Sequence, residues 1–219
     1  MRGVLLALVL GLGWAAPAAA EVTGAVLVLE SLTASLPGQV PEAAPPRFVL
    51  MEDRRVFVGG TSGLATATLE GREVKELERQ VSRVRKLSGL GASAVLGPGP
   101  ARRRLLLAKG PIIVVQGDTA GAPANLRPLA ELIQELERFD HASLRPYAPV
   151  SYLLRAREAP LPGGCRGWSL PVPLAQAVAA GQVVSSAGNW PTGALPASVC
   201  DGPRRYAVTH RPLLPGERP

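Results

Sequence analysis

Two stretches of sequence with the same order of patterns decide the predicted fold. The first reads RFVL at residues 47–50 and VFVG at 56–59, and the second reads RLLL at 104–107 and IVV at 113–115. In each stretch a short turn separates two apolar runs of strand length, and an amphipathic helical pattern follows. The two stretches are offset by about 55 to 57 residues. This repetition predicts two strand–strand–helix units built on one plan.

The helical patterns are the clearest feature of both units. Apolar residues recur at helical spacing at Val74, Leu77, Val81, Val84 and Leu87 in the first unit, and at Leu129, Leu132, Ile133, Leu136 and Phe139 in the second. Glutamates begin the first helix and basic residues end it, which complements the helix dipole. Because each helix has one apolar face, we expect both to cover the same face of a mainly antiparallel sheet.

These patterns predict an α+β fold class. The two ββα-type repeats occupy residues of about 47–90 and 104–141, and Ala25 to Glu30 reads as a preceding strand. The Gly- and Pro-rich remainder, residues 142–219, is expected to be a loop-rich C-terminal part stapled by a disulfide. It contains a predicted strand at Ser151 to Arg157, a short helix around Leu174 to Ala180 and a final strand at Tyr206 to Arg211. We expect residues 21–219 to form a single mature α+β domain.

The first twenty residues have the pattern of a cleavable signal peptide. Met1 and Arg2 supply a positive start, Val4 to Trp14 is apolar and uncharged, and Ala18-Ala19-Ala20 precedes Glu21 as a cleavage site. The apolar stretch is shorter than the roughly 20 residues that a membrane span needs. Residues 1–20 are therefore predicted to be removed during export, which places the mature protein in the periplasm or outside the cell, with no transmembrane segment.

The composition indicates the kind of core, and the net charge indicates the kind of partner. Hydrophobic residues make up 47% of the 219-residue chain but aromatic residues only 4%, so the core is expected to be aliphatic. The formal net charge of +7 suits an anionic envelope polymer as a partner, while an unknown protein is the other partner class. The abundance of Arg, Ala, Gly and Pro is equally typical of a GC-rich bacterial genome, so the basic charge has a second explanation that is unrelated to function.

Cysteine usage points to one structural disulfide. Cys165 and Cys200 are the two cysteines, both follow the signal segment, and neither belongs to a C-x-x-C motif. An even pair in an oxidising compartment is typical of a disulfide. We expect the bond to close a loop that carries Trp168 and Trp190.

Candidate binding residues fall into two groups. Arg102, Arg103 and Arg104 form a compact basic run that suits an anion, or else the solvated start of a strand at a sheet edge. Trp168 and Trp190 suit contact with a ligand or partner, or else fill a small second core. No aromatic residues interleave with the arginines, so nucleic acid is not the predicted partner.

Common catalytic constellations are missing from the sequence. The stretch from Gly60 to Leu64 falls short of G-x-S-x-G, and phosphate-loop, dinucleotide and H-E-x-x-H motifs do not occur. Asp140, His141 and Ser143 supply the residue types of a hydrolytic triad, but neighbours in sequence seldom face one another, and the helix end is the other interpretation. No metal site, cofactor or catalytic residue is predicted.

The sequence therefore favours a secreted or periplasmic, non-catalytic binding or interaction module over an enzyme. An exported hydrolase with a dispersed active site and a structural component of the cell envelope are the alternatives. A concave pocket that gathers His141 or His210 with a carboxylate would favour the hydrolase, and an exposed Arg or Trp patch with no such pocket would favour binding.

Overall fold

The computed structural model describes residues 21–32, 45–60, 63–159, 164, 166–170, 172–189 and 198–218. The predicted signal peptide, residues 1–20, lies outside these ranges. The fold is α+β, as predicted, with mixed sheets. Among the described residues, no helix is long and apolar enough to cross a bilayer.

Three α-helices and fifteen strands are present in the described ranges. The helices are α1 (Gly71–Arg85), α2 (Arg127–Glu137) and α3 (Leu174–Ala180). The strands are β1 (Glu21–Val22), β2 (Ala25–Ser31), β3 (Phe48–Met51), β4 (Arg55–Gly60), β5 (Gly63–Thr68), β6 (Ser93–Val95), β7 (Arg102–Leu107), β8 (Ile112–Gln116), β9 (Arg145–Pro146), β10 (Ser151–Glu158), β11 (Arg166–Gly167), β12 (Val183–Ser186), β13 (Ser198–Asp201), β14 (Arg204–Pro212) and β15 (Glu217–Arg218).

The first sheet contains both predicted repeats. Its eight strands have the order β6-β8-β7-β2-β3-β4-β5-β9, and every pair is antiparallel except β6 with β8. Strand β2, predicted over Ala25 to Glu30, lies between the hairpins β3–β4 and β7–β8. The two repeats therefore flank one central strand, and the prediction of a mainly antiparallel sheet is confirmed.

The main core lies between this sheet and the two long helices. Its strand residues include those that the alternating pattern predicted to face inward: Phe48, Leu50, Val56, Val58, Leu105, Leu107, Ile113 and Val115. Leu77 of α1 is 3% exposed and Leu132 of α2 is fully buried against the same cluster. The prediction that both helices cover one face of the sheet is therefore confirmed.

The two repeats differ after their first hairpin. In the first repeat an extra strand, β5, follows β4, whereas two short 3₁₀ turns at Thr119–Gly121 and Ala124–Leu126 follow β8. The sequence analysis assigned no strand to Gly63–Thr68 because its small residues, GLATAT, give a weak strand signal. The hairpins also differ in register. Leu50 corresponds to Leu107 and Val56 to Ile113 in the two repeats, but Leu50 pairs with Val56 whereas Ile113 pairs with Leu105.

The C-terminal part is more regular than the sequence predicted. Five strands form a second sheet with the order β11-β13-β14-β10-β12, and α3 packs against β10. Leu154, Ala156, Tyr206 and Val208 of this sheet form a core with Leu174 and Ala177 of α3. Strands β10 and β14 and helix α3 lie where the sequence predicted them, whereas β11, β12 and β13 were not predicted, because cross-strand pairing organises residues that carry little local strand signal.

The other face of the first sheet contacts the end of the chain. Phe57 and Val49 are buried there beside Leu214, and the Tyr147 hydroxyl donates to the Leu213 carbonyl at 3.2 Å. Strand β1 pairs antiparallel with β15, so residues 21–22 lie next to residues 217–218. The first sheet is thus covered by helices on one face and in part by C-terminal residues on the other.

Candidate functional site

The predicted basic run on β7 is largely used inside the fold. Arg103 forms an ion pair with the Glu137 carboxylate at the end of α2 and donates to the Gly117 carbonyl at 2.9 Å. Arg104 forms an ion pair with Glu30 of β2, and both side chains are only 13% exposed. Arg102 is the exposed member of the run. Because β7 is an inner strand of the sheet, the alternative that the arginines protect a sheet edge was wrong. Two of the three arginines instead form ion pairs between β7 and the neighbouring elements α2 and β2.

Trp168 contributes to the second core. Its ring is partly buried against that cluster, and its Nε1–H donates to the Val172 carbonyl at 2.6 Å. An indole that is packed and hydrogen-bonded in this way supports the core alternative over the ligand-contact alternative. Trp190 lies outside the described residues.

The cysteine prediction is tested at only one of its two positions. Cys200 lies on β13, half-buried, whereas Cys165 lies outside the described residues, so the disulfide stays a prediction. The parallel pairing of β11 with β13 sets Arg166 opposite Val199 and Gly167 opposite Cys200. The chain next to Cys165 therefore runs beside the strand that carries Cys200.

A row of arginines lies on the face of the second sheet that points away from α3. Cross-strand pairing and strand alternation place Arg155, Arg157, Arg205 and Arg211 on this face, which we call the basic face. Their burial is graded: Arg211 is buried, Arg155 and Arg205 are half-buried and Arg157 is exposed. Arg211 forms a buried ion pair with Glu217, whose Oε2 is 2.9 Å from Nη1. The basic face therefore carries four arginine side chains, one of which is neutralised by a buried carboxylate.

Arg155 differs from Arg211 in having a neutral partner. Its Nη2 donates to the Gln182 side-chain oxygen at 3.1 Å, and no carboxylate of the described residues forms an ion pair with it. Burial lowers the pKa of Arg155, and the neighbouring Arg211 charge lowers it further. A half-buried guanidinium that faces another cation is an electrostatic cost that an added anion would relieve.

A hydroxyl without a partner lies beside Arg155. Thr209 is the cross-strand partner of Arg155, and its Oγ1 is shielded from solvent with no hydrogen-bond partner among the described residues. The Ser198 hydroxyl, opposite Ala207 on the same face, is likewise shielded and without a partner in the described part of the chain. Shielded polar atoms are nearly always satisfied in proteins, so exceptions mark places where a ligand, ion or water completes the structure.

The basic face was not predicted from the sequence. The signal was present in the alternation of Arg155 and Arg157 with apolar neighbours, which places both arginines on one side of a strand. It could not be recognised without the pairing of β10 with β14, which adds Arg205 and Arg211 from a segment about 50 residues away.

A second polar cluster joins the start of α1 to the segment after α2. The His141 Nε2 lies 3.1 Å from Glu73 Oε1, and the Ser143 hydroxyl lies 2.7 Å from His141 Nδ1. His141 thus contacts a carboxylate, which belongs to Glu73 rather than to the predicted Asp140. His141 and Glu73 are 23% and 33% exposed, and Ser143 is exposed.

Comparison of the chain with family models, with curated proteins and with solved structures finds no match. Function is therefore argued from the two clusters themselves. The described residues contain no group of three or more His, Cys, Asp and Glu side chains that could hold a metal ion.

Proposed function

We propose that this chain is an exported binding module that recognises an anionic group on the basic face of its second sheet. The observation that carries the proposal is Arg155, a half-buried cation whose hydrogen-bond partner, Gln182, is neutral. The partner class is an anionic envelope polymer that bears phosphate or carboxylate groups.

The charge balance of the face supports an anionic ligand. Glu217, the carboxylate that lies at this face, is bound to Arg211. Arg157 and Arg205 lie on this face on the other side of Arg155 from Arg211, and both make interactions of their own. An approaching anion therefore meets the Arg155 guanidinium beside a carboxylate that is already bound to Arg211, which favours attraction at Arg155.

The chemistry at Arg155 suits an oxyanion. A guanidinium presents planar N–H donors that match phosphate or carboxylate oxygens, and its bonds to them are charge-assisted. Neighbouring strands lie about 4.8 Å apart, so Arg155 and the Thr209 hydroxyl lie close enough to donate to one anion. Such an anion would satisfy the unpartnered Thr209 hydroxyl and relieve the repulsion between Arg155 and Arg211.

Replacement of Arg155 by Gln is expected to weaken anion binding by about 10- to 100-fold, the range for loss of a charged hydrogen bond. The probes are a poly(glycerol phosphate) and a polygalacturonate, with binding measured by titration calorimetry at fixed salt concentration. The phosphate and carboxylate probes distinguish the two possible sources of the anionic group.

The control is Arg79→Gln on α1, which removes the same charge at an exposed ion pair with Glu76. We expect this variant to bind nearly as well as the native protein. Equal losses in the two variants would show that binding follows net charge alone, and would overturn the site. Absence of binding to both probes would overturn the proposed function.

We propose further that the mature protein begins at Glu21 and carries a Cys165–Cys200 disulfide. Cys200 pairs with Arg205 across the strands, so the bond would hold residues next to the basic face. Closing a loop of about 35 residues would add roughly 3–4 kcal/mol of stability on the loop-entropy model.

Intact-mass measurement of exported protein is expected to give the mass of residues 21–219, less two hydrogens. Reduction should restore those two hydrogens. A retained segment 1–20 would contradict export with cleavage, and two titratable thiols in oxidised preparations would contradict the disulfide.

A further inference from the structure

We propose that Ser143 is a nucleophile activated by His141, and that it accepts acyl groups from carboxylic esters. The proposal rests on the chain of hydrogen bonds from Glu73 through His141 to Ser143, and it goes beyond the binding function of the basic face. None of these residues belongs to that face.

The hydrogen bonds fix the tautomer of His141. The backbone N–H of Ser143 donates to Nδ1 at 3.2 Å, so Nδ1 is the acceptor nitrogen of the neutral ring. The ring proton is then on Nε2, where it points to Glu73 Oε1 at 3.1 Å. The Ser143 hydroxyl, 2.7 Å from Nδ1, therefore donates to the same nitrogen and shares its lone pair with the backbone N–H. This is the arrangement that a general base needs before it takes a proton.

Glu73 and Phe139 hold the ring in place. The other carboxylate oxygen of Glu73 accepts the backbone N–H of Glu70 at 2.8 Å, as part of the capping box that begins α1. That hydrogen bond is the main cause that lowers the pKa of Glu73, and His141 contributes further. The Phe139 ring lies nearly parallel to His141, with a centroid separation of 6.4 Å, and itself packs edge-on against Phe48 of the main core.

Arg145 supplies positive charge beside the nucleophile. Its Nη1 donates to the Leu144 carbonyl at 2.8 Å and to the Ala142 carbonyl at 3.2 Å, so the guanidinium lies over the turn that contains Ser143. Its other N–H groups form no hydrogen bond with the residues that the structure describes. They are donors for the negative charge that develops on a carbonyl oxygen during attack by Ser143.

The proposed acyl transfer needs only Ser143, His141, the ester and water. The Ser143 O–H proton moves to His141 Nδ1 while Oγ forms a bond to the ester carbonyl carbon, and the carbonyl electron pair moves to its oxygen. When that pair returns, the bond to the alkoxide leaving group breaks and the leaving group takes the proton from Nδ1. The acyl group is then bound to Ser143, and water releases it by the same steps. Relative to the usual triad, the two ring nitrogens exchange their roles.

The test is covalent labelling with a fluorophosphonate probe, followed by peptide mass spectrometry. We expect the probe to modify Ser143, and Ser143→Ala to abolish the label. His141→Gln should slow labelling by about 100-fold or more, as expected for loss of a general base. The matched control is Ser88→Ala, which removes an exposed hydroxyl near the end of α1 and should leave the labelling rate unchanged.

Glu73 acts as a positioning residue, so its test needs a separate readout. In ¹⁵N spectra of the imidazole, the native protein should show the tautomer protonated on Nε2, and Glu73→Gln should populate the other tautomer. Circular dichroism shows whether each variant is folded. Labelling of Ser143 no faster than of Ser88, or labelling that is insensitive to His141→Gln, would overturn the proposal and leave the cluster as a structural link between α1 and α2.

Discussion

Replacement of Glu217 by alanine is expected to lower the free energy of unfolding by about 3–5 kcal/mol, because it leaves a buried arginine without its counter-ion. The Arg211 and Glu217 side chains are 7% and 0% exposed, and they are joined by two hydrogen bonds. Glu217 also accepts the backbone N–H of Leu214 at 2.9 Å, so the change removes a second buried contact. Urea denaturation, followed by circular dichroism, measures the difference.

The matched control is Glu76→Ala, which breaks an exposed ion pair with Arg79 on α1. Exposed pairs contribute about 0–1 kcal/mol, so this variant should unfold close to the native protein. If Glu217→Ala fails to fold, the double variant Arg211→Met, Glu217→Leu is measured in its place. Replacing both members of a buried ion pair by apolar residues restores much of the lost stability, so this variant should fold. Equal costs for Glu217→Ala and Glu76→Ala would show that the buried pair is not formed in solution.

Replacement of Leu132 by alanine is expected to cost about 2–5 kcal/mol of stability, through lost burial and the cavity left behind. Leu132 is fully buried where α2 meets the main core. The control is Ile112→Ala on β8, which removes aliphatic atoms from a side chain that is 48% exposed. A cost for Leu132→Ala below about 1 kcal/mol would mean that α2 is peripheral to the fold.

The sequence predicted the strands and helices whose apolar residues recur at regular spacing. The apolar positions of the two hairpins and helices could be assigned to faces because period 2 and period 3.6 follow directly from strand and helix geometry. Leu77, Leu132, Phe48 and Leu105 lie in one core for that reason. The same reasoning could not find β5, whose small residues form a strand because β4 supplies its hydrogen-bond partners.

Candidate site residues could be predicted only in part, because their partners are distant in sequence. His141 and Ser143 were recognised as a triad fragment, but the carboxylate that completes the cluster belongs to Glu73, which α1 brings from 68 positions away. Arg103 and Arg104 were recognised as a charged run, while their partners Glu137 and Glu30 come from other elements. The counter-ion of a charged residue can be identified only when the fold shows which distant residues are brought next to it.

The pairing of β1 with β15 constrains the order in which the chain can assemble. Residues 21–22 are synthesised almost 200 residues before their cross-strand partners, residues 217–218. The closed loop spans nearly the whole described chain, so its entropic cost is met only after shorter-range contacts have formed. Both sheets can therefore form before this two-stranded closure, which makes it a late step in folding. Loss of Glu217 and Arg218 would remove the partner of β1 and the counter-ion of Arg211 together, so damage at one end of the chain would loosen the other.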